Sequence, residues 1–127
     1  MSLISSSPSD RTVLVVDDEA ELREAIVEIL LGDQISAVGA ASGQEALRLI
    51  EQRPIALILL DLMMPEMDGR QVVDELRRRG HDIPVVLVSA SRDLRRVALE
   101  LGLAAITKPF DLDDLLRVVR EGLAEAA

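Results

Sequence analysis

Carboxylates follow two apolar runs of this chain, each at the point where the run ends. Asp17 and Asp18 come directly after the run Val13–Val16, and Asp61 comes directly after the run Ile55–Leu60. Because the chain has no cysteine and a single histidine away from these runs, the ligands on offer are oxygens, which favour a hard cation. We expect Mg²⁺, held by one or two carboxylates and water. The alternative is that Asp17 and Asp18 only cap the following helix.

Two further side chains could bind a small anion beside such a cation. Lys108 is the only lysine among fourteen basic residues, and it directly precedes Pro109 at the end of a short apolar run. A compact ammonium suits a site where one charge must meet a small anion. Ser89 ends another apolar run with a hydroxyl that can bind the anion's oxygen, although serine before a helix is more often a cap or a turn. The Lys108–Pro109 bond can be cis or trans.

These side chains need elements that bring their ends together. From Arg11 onward, short apolar runs alternate with stretches of helical period, which predicts five strands and five helices in strict alternation. The predicted strands are Thr12–Val16, Ile35–Ala40, Ile55–Leu60, Pro84–Val88 and Ala105–Thr107. The predicted helices are Glu19–Leu31, Gly43–Gln52, Arg70–Arg79, Asp93–Leu101 and Asp111–Ala124.

The composition of the strands indicates their order in the sheet. The first, third and fourth are continuously apolar, as strands covered by helices on both faces must be. The second, with Ser36 and Gly39, and the fifth, with Ala105 and Thr107, are poorer in apolar residues and should be the edges. Right-handed crossovers then give a doubly wound, flavodoxin-like α/β sandwich whose parallel strands lie in the order 2-1-3-4-5. The site is expected outside the carboxyl ends of strands one and three.

Composition limits the class of protein. The 127 residues suffice for one domain, which we place at residues 11–125 after a serine-rich tail over residues 1–10 that we expect to be flexible. A net charge of −9 argues against direct contact with a nucleic-acid backbone. No apolar run is long enough to span a membrane and no secretion signal is visible, so we expect a cytoplasmic protein without membrane contact.

In this order, the residues resemble the receiver domain of two-component response regulators, the superfamily of the chemotaxis regulators. The motifs that carry the resemblance are Asp17-Asp18, Asp61 with Met64-Pro65-Glu66-Met67-Asp68-Gly69, Ser89-Ala90 and Lys108-Pro109-Phe110. The resemblance covers nearly all of residues 11–123. It implies that Asp61 accepts a phosphoryl group from a phosphohistidine on a sensor histidine kinase or a histidine phosphotransfer protein.

The resemblance also implies the roles of the other site residues. Asp18, Asp61 and the backbone carbonyl of Met63 would hold Mg²⁺, while Asp17 would act mostly through water. Lys108 and Ser89 would bind phosphoryl oxygens. The domain would catalyse its own phosphorylation and dephosphorylation, acting as a switch that is either stand-alone or part of a longer regulator or hybrid kinase. Its reader would be a downstream protein target or an output domain.

One position departs from the pattern of this family. Receivers usually carry a tyrosine or phenylalanine three residues before the lysine, and its ring moves with the serine or threonine hydroxyl; here that position is Ala105. The segment between Ser89 and Lys108 is also shorter than in typical members. We therefore expect an abbreviated fourth helix and an altered readout of phosphorylation.

Two other classes share part of this pattern. A phosphatase of the haloacid dehalogenase type also attacks phosphate through a strand-end aspartate, but it needs a second acidic residue two positions later, where this chain has Met63. A receiver-like interaction module keeps the fold and is never phosphorylated. Asp17, Asp18, Asp61 and Lys108 argue against that module, whereas Ala105 keeps it open.

Overall fold

A computed structural model of the protein describes residues 11–126, and the predicted tail over residues 1–10 lies outside them. Five strands and five helices alternate along the chain. The strands are β1 (Thr12–Val16), β2 (Ala37–Ala40), β3 (Ile55–Asp61), β4 (Val85–Ser89) and β5 (Ala104–Thr107). The helices are α1 (Ala20–Gly32), α2 (Gly43–Gln52), α3 (Gly69–Arg78), α4 (Leu94–Leu101) and α5 (Leu112–Ala126).

The strands form one parallel sheet in the order β2-β1-β3-β4-β5. This confirms the predicted flavodoxin-like α/β fold, including the two edge strands. β1 and β4 are buried at every residue, as the apolar composition of these strands predicted. Because all strands run in the same direction, their carboxyl ends lie at one edge, where the sequence placed its polar side chains.

Side chains alternate across the sheet and divide the core into two layers. Leu14 and Val16 of β1 pack in the layer covered by α2, α3 and α4. Val13 and Val15 pack in the layer covered by α1 and α5, against residues such as Leu115. The central strands are therefore apolar at consecutive positions because each neighbouring pair of side chains serves two cores.

A few boundaries differ from those predicted. β2 begins at Ala37 and not at Ile35, because the Ile35 N–H donates to the Leu30 carbonyl at 2.9 Å and thereby closes the end of α1. β3 extends by one residue, to Asp61, and β4 is shifted by one residue, to Val85–Ser89, so Asp61 and Ser89 are the last residues of their strands. Both polar side chains thus start from backbone that the sheet holds in place.

α4 is short, with eight residues, and only two residues separate it from β5. It ends at Gly102, whose φ of 70° lies in the left-handed region that glycine adopts without a steric penalty. Across the described residues, no helix combines the length and the apolar character needed to cross a membrane.

Candidate functional site

Three carboxylates meet at the carboxyl ends of β1 and β3. One carboxylate oxygen from each of Asp17, Asp18 and Asp61 lies within 4.8 Å of the other two. The pairing of Val16 with Leu60 sets the two strand ends side by side. Asp17 and Asp61 are buried, whereas Asp18 is exposed to solvent. The structure thus brings together the three acidic residues that the sequence placed at these ends.

Lys108 reaches into this cluster from the end of β5. Its Nζ lies 2.9 Å from Asp17 Oδ2, 3.3 Å from Asp61 Oδ2 and 3.5 Å from Glu19 Oε1. Its side chain is only 14% exposed, so it is not a solvated surface lysine. The Lys108 N–H donates to the Ser89 carbonyl at 2.9 Å, and the following bond to Pro109 is cis.

The electrostatics of the cluster are unbalanced. The pKa of Asp61 is raised, mainly by burial and further by the nearby charge of Asp17. The hydrogen bond from the Met63 N–H at 3.1 Å and the interaction with Lys108 lower this pKa, but they only partly offset the rise. Burial by itself lowers the pKa of Lys108, but its hydrogen bonds and charge interactions with the two aspartates outweigh that effect and raise it. A single ammonium therefore faces two buried carboxylates, and a further cation would relieve their repulsion.

Asp17 has two roles, one for each carboxylate oxygen. Its Oδ1 accepts a hydrogen bond from the Glu19 N–H at 2.9 Å, at the entry to α1. Its Oδ2 accepts from Lys108 Nζ. The N-cap of α1 is Glu19, and no side chain of the described residues caps the helix, so Asp17 orders the turn before α1 and does not act as its cap.

Ser89 ends β4 and is 1% exposed. Its Oγ accepts a hydrogen bond from the Ser91 N–H at 3.1 Å, so the turn role that serine commonly plays is present. The Ser91 Oγ in turn accepts from the Asp93 N–H at 3.1 Å, just before α4. Since a hydroxyl can accept and donate at the same time, Ser89 can keep this turn and still donate to an anion.

The loop after Asp61 is held close to β3 by a glycine. The Gly69 N–H donates to the Leu62 carbonyl at 2.9 Å, and a Cβ on Gly69 would lie 2.7 Å from the Asp61 carbonyl oxygen and 2.9 Å from Leu62 Cα. No larger residue fits there unless the backbone moves. Asp68 caps α3 through a reciprocal pair of hydrogen bonds with Gln71. The Asp68-Gly69 part of the motif therefore fixes the return of the chain beside Asp61.

Sequence reasoning missed two residues that contact the site. Glu19 lies beside Lys108, and Arg23 Nη1 donates to the backbone carbonyl of Asp17 at 2.8 Å. The acidic run Asp17-Asp18-Glu19 was a usable signal for Glu19. Arg23 gave none, because its acceptor is a backbone atom that every residue type supplies.

Ala105 lies on the edge strand β5, where it is exposed and pairs with Leu87 of β4. A methyl group cannot make the ring movement expected of a receiver at this position. Phe110, the only aromatic residue of the chain, follows Lys108 by two residues in the sequence. It is partly buried and packs against the core layer covered by α1 and α5. The chain therefore has no aromatic ring at the position where receivers usually carry one.

Comparison with known proteins identifies the class. Residues 13–120 match the family described as the response regulator receiver domain, and the chain belongs to that family. It is 38% identical over 111 residues to response regulator RR06 of Streptococcus pneumoniae, covering 85% of this chain and 51% of that protein. It is also 38% identical over 112 residues to response regulator MprA of Mycolicibacterium vanbaalenii, covering 85% and 48%. The chain spans about half the length of these curated relatives.

Solved structures agree with this assignment. The receiver domain of the Francisella response regulator 1452 superposes with a TM-score of 0.84 at 31% identity, covering 91% of this chain and 98% of that one. The response regulator TrrA of Thermotoga maritima, solved in complex with Mg²⁺ and BeF, gives 0.80 at 30% identity, covering 89% and 99%. The chain is thus a two-component receiver domain, a class that implies a kinase partner and does not include the dehalogenase-type phosphatases. Its acidic pocket is consistent with phosphoacceptor signalling.

Proposed function

We propose that this domain accepts a phosphoryl group on Asp61 from the phosphohistidine of a sensor histidine kinase or a histidine phosphotransfer protein. The observation that carries the proposal is the position of the buried Asp61 carboxylate at a strand end, 3.3 Å from Lys108 Nζ and within the carboxylate cluster. The modified domain acts as a switch read by a downstream protein target or an output domain. A cytoplasmic location belongs to the same proposal and rests on the class of protein.

The carboxylate cluster suits Mg²⁺. Two of its members are buried, one ammonium does not balance them, and carboxylate oxygens are the ligands that this ion prefers. We assign Asp18, Asp61 and the backbone carbonyl of Met63 as ligands, with Asp17 acting mostly through water. When bound, Mg²⁺ supplies positive charge that offsets the phosphoryl oxygens. The complex of TrrA with Mg²⁺ and BeF supports Mg²⁺ as the ion by similarity.

Asp61 forms the new bond in this reaction. A carboxylate oxygen attacks phosphorus in line; the O–P bond forms as the N–P bond breaks, and the electron pair of the N–P bond returns to the imidazole nitrogen of the donor. Lys108 stays protonated because its pKa is raised, and it binds a phosphoryl oxygen from where it now contacts Asp61. The Ser89 hydroxyl donates to another phosphoryl oxygen.

The product is an acyl phosphate, which water can discharge. Water attacks phosphorus, the O–P bond to Asp61 breaks, and the carboxylate is restored with release of inorganic phosphate and a proton. The same residues that stabilise charge in the forward transfer stabilise it here. The domain therefore limits the duration of its own signal.

Intact-mass measurement tests the proposal. Incubation with Mg²⁺ and acetyl phosphate should add one phosphoryl group to the wild-type chain and none to Asp61→Asn. Asp74→Asn is the matched control, because Asp74 is an exposed aspartate on α3 away from the cluster, and this variant should be modified like the wild type. No mass gain with several small donors and with a cognate kinase would favour the unphosphorylated interaction module.

A further inference from the structure

We propose that Arg23 is a positioning residue for the cation site, acting on the peptide bond that joins Asp17 to Asp18. The inference rests on the proposed function, since it concerns the Mg²⁺ ligands assigned there. Arg23 lies on α1, one turn after Glu19, and its Nη1 donates to the Asp17 carbonyl at 2.8 Å. That carbonyl belongs to the peptide unit from which Asp18 projects.

Asp18 depends on its backbone for its position. Within residues 11–126, no hydrogen bond or ion pair holds its side chain, and it is exposed. Asp17 and Asp61, in contrast, are buried and are tied to Lys108. Because the peptide plane is rigid, fixing the Asp17 carbonyl also fixes the starting direction of the Asp18 backbone. The hydrogen bond from Arg23 to the Asp17 carbonyl therefore restrains the backbone of Asp18, whose own side chain makes no such bond in the described part of the chain.

β2 makes room for this arginine. A Cβ on Gly39 would lie 3.1 Å from both Cγ and Cδ of Arg23, so the arginine stem passes directly over the bare backbone of this edge strand. Glycine weakens a strand, and in a strand interior it commonly marks a site of close approach. Gly39 pairs with Val15, and the Asp17 N–H donates to the neighbouring Ala40 carbonyl at 3.1 Å. The Arg23 stem thus packs on β2 while its guanidinium donates a hydrogen bond to the residue that follows β1.

This contact matters for Mg²⁺ because the ion demands near-ideal octahedral geometry. A ligating side chain whose backbone is mobile weakens Mg²⁺ binding even when its ligand atoms are unchanged. Residues that orient ligands without touching the metal commonly change metal affinity by about tenfold or more when they are replaced. Arg23 has this position relative to Asp18, whereas a purely structural role would limit its effect to the stability of α1.

The test is a titration of backbone amide resonances with MgCl₂ at constant ionic strength and without a phosphodonor. Arg23→Met keeps most of the stem and removes the guanidinium, and it should weaken Mg²⁺ binding by about tenfold. Arg23→Lys should recover part of the loss. Arg48→Met is the matched control, because Arg48 is an exposed arginine on α2 and its loss changes the net charge equally. This control should bind Mg²⁺ like the wild type.

Gly39→Ala provides a second test that leaves the arginine in place. The added methyl group must push the stem, so Mg²⁺ binding should weaken, while the free energy of unfolding stays level or rises because alanine is the better strand residue. In the Arg23→Met background the same change should cost no further Mg²⁺ affinity. If Arg23 contributed only to stability, Gly39→Ala could not weaken Mg²⁺ binding while leaving the free energy of unfolding unchanged or higher. Gly39→Ala therefore also tests the positioning role of Arg23 if Arg23→Met folds poorly.

Two results would overturn the inference, and they are distinct. If the wild type shows no Mg²⁺-dependent shifts near Asp61, the proposed function fails and this inference fails with it. If the wild type binds Mg²⁺ while Arg23→Met and Gly39→Ala bind it as tightly as Arg48→Met, the metal site stands and the positioning role of Arg23 is refuted.

Discussion

At the scale of single residues, Asp17 and Asp61 share one ammonium. Lys108 Nζ lies 2.9 Å from one carboxylate and 3.3 Å from the other, and both carboxylates are buried. Taking two like charges out of water is costly, and one lysine offsets only part of that cost. The metal-free domain therefore keeps a locally unfavourable charge at the atom that the proposed reaction uses.

Asp61→Asn should stabilise the metal-free protein near neutral pH by about 1 kcal/mol, because it removes a buried charge while an amide oxygen can still accept from the Met63 N–H. The sign follows from the raised pKa of Asp61: the folded state holds this proton more tightly than the unfolded chain. Wild-type stability is therefore lost as pH rises from the ordinary value of 3.8 through the raised pKa. The advantage of the variant should be full above this window and absent below it.

Urea unfolding at several pH values measures this difference. Far-ultraviolet circular dichroism is the suitable signal because the chain has no tryptophan. A variant several kcal/mol less stable than the wild type at neutral pH would contradict the assigned repulsion.

Lys108→Met should have the opposite effect and destabilise the metal-free protein by about 3 kcal/mol near neutral pH, since it leaves two buried carboxylates without the ammonium that offsets their charge. The raised pKa of Lys108 means that the alkaline loss of its contribution begins above 10.5 and follows the rise of pH through the folded-state value. The deficit should shrink in acid, where the carboxylates become protonated. The double variant with Asp61→Asn should lose less stability than the sum of the two single effects gives, because the charge of Asp61 is most costly when Lys108 is gone; a strictly additive result would argue against the coupling.

At the scale of elements, turns at the strand ends set the geometry of the site. Asp17 orders the entry to α1, Ser89 orders the turn toward α4, and Gly69 returns the chain beside Asp61. In the turns of Asp17 and Ser89, a backbone N–H is satisfied by a side chain that also belongs to the site. At these two turns, the side chains of the site therefore also hold the elements that support it.

Gly69→Ala should destabilise the protein by about 3 kcal/mol and slow phosphorylation, because its Cβ would lie 2.7 Å from the Asp61 carbonyl oxygen. Gly32→Ala is the matched control: this glycine ends α1 and an added Cβ meets nothing within 4 Å. The control should be neutral or more stable by up to about 1 kcal/mol. Thermal unfolding and acetyl phosphate labelling of both variants provide the comparison, and equal behaviour would contradict the packing argument.

Sequence reasoning succeeded for elements where pattern and burial agree. Apolar runs predicted the central strands, and poorer runs predicted the edges, because burial on both faces demands apolar side chains at every position. It failed at the start of β2, where the amide of Ile35 pairs with α1 and not with the sheet. It also could not find Arg23, since a bond to a backbone carbonyl leaves no requirement on the type of the partner residue.

At the scale of the whole molecule, Mg²⁺ should act on stability as well as on chemistry. A ligand that binds only the folded state stabilises it by RT ln(1 + [L]/Kd), which is about 1.4 kcal/mol at ten times Kd. Because the net charge is −9, general screening by salt must be separated from binding. MgCl₂ should therefore raise the melting temperature above that in KCl of the same ionic strength.

Asp18→Asn should remove this extra Mg²⁺ response. Glu28→Gln, an exposed position on α1 with the same change in charge, should keep it. Equal responses in the two variants would show that Mg²⁺ acts through overall charge and not through the cluster.

The class of protein could be predicted from the sequence because the side chains that define it lie at strand ends in a fixed order. How phosphorylation is read could not, because that depends on movement around an edge strand. Ala105 shows only that the usual ring is replaced by a methyl group exposed on β5.

The division of the core into two layers bears on how such a chain can evolve. Leu14 and Val13 are neighbours in sequence but pack in separate cores on opposite faces of the sheet. Substitutions whose side chains share no partner combine almost independently. Changes around α4 can therefore accumulate with little repacking of α1 and α5, so the helices of one layer can diverge while those of the other keep their contacts.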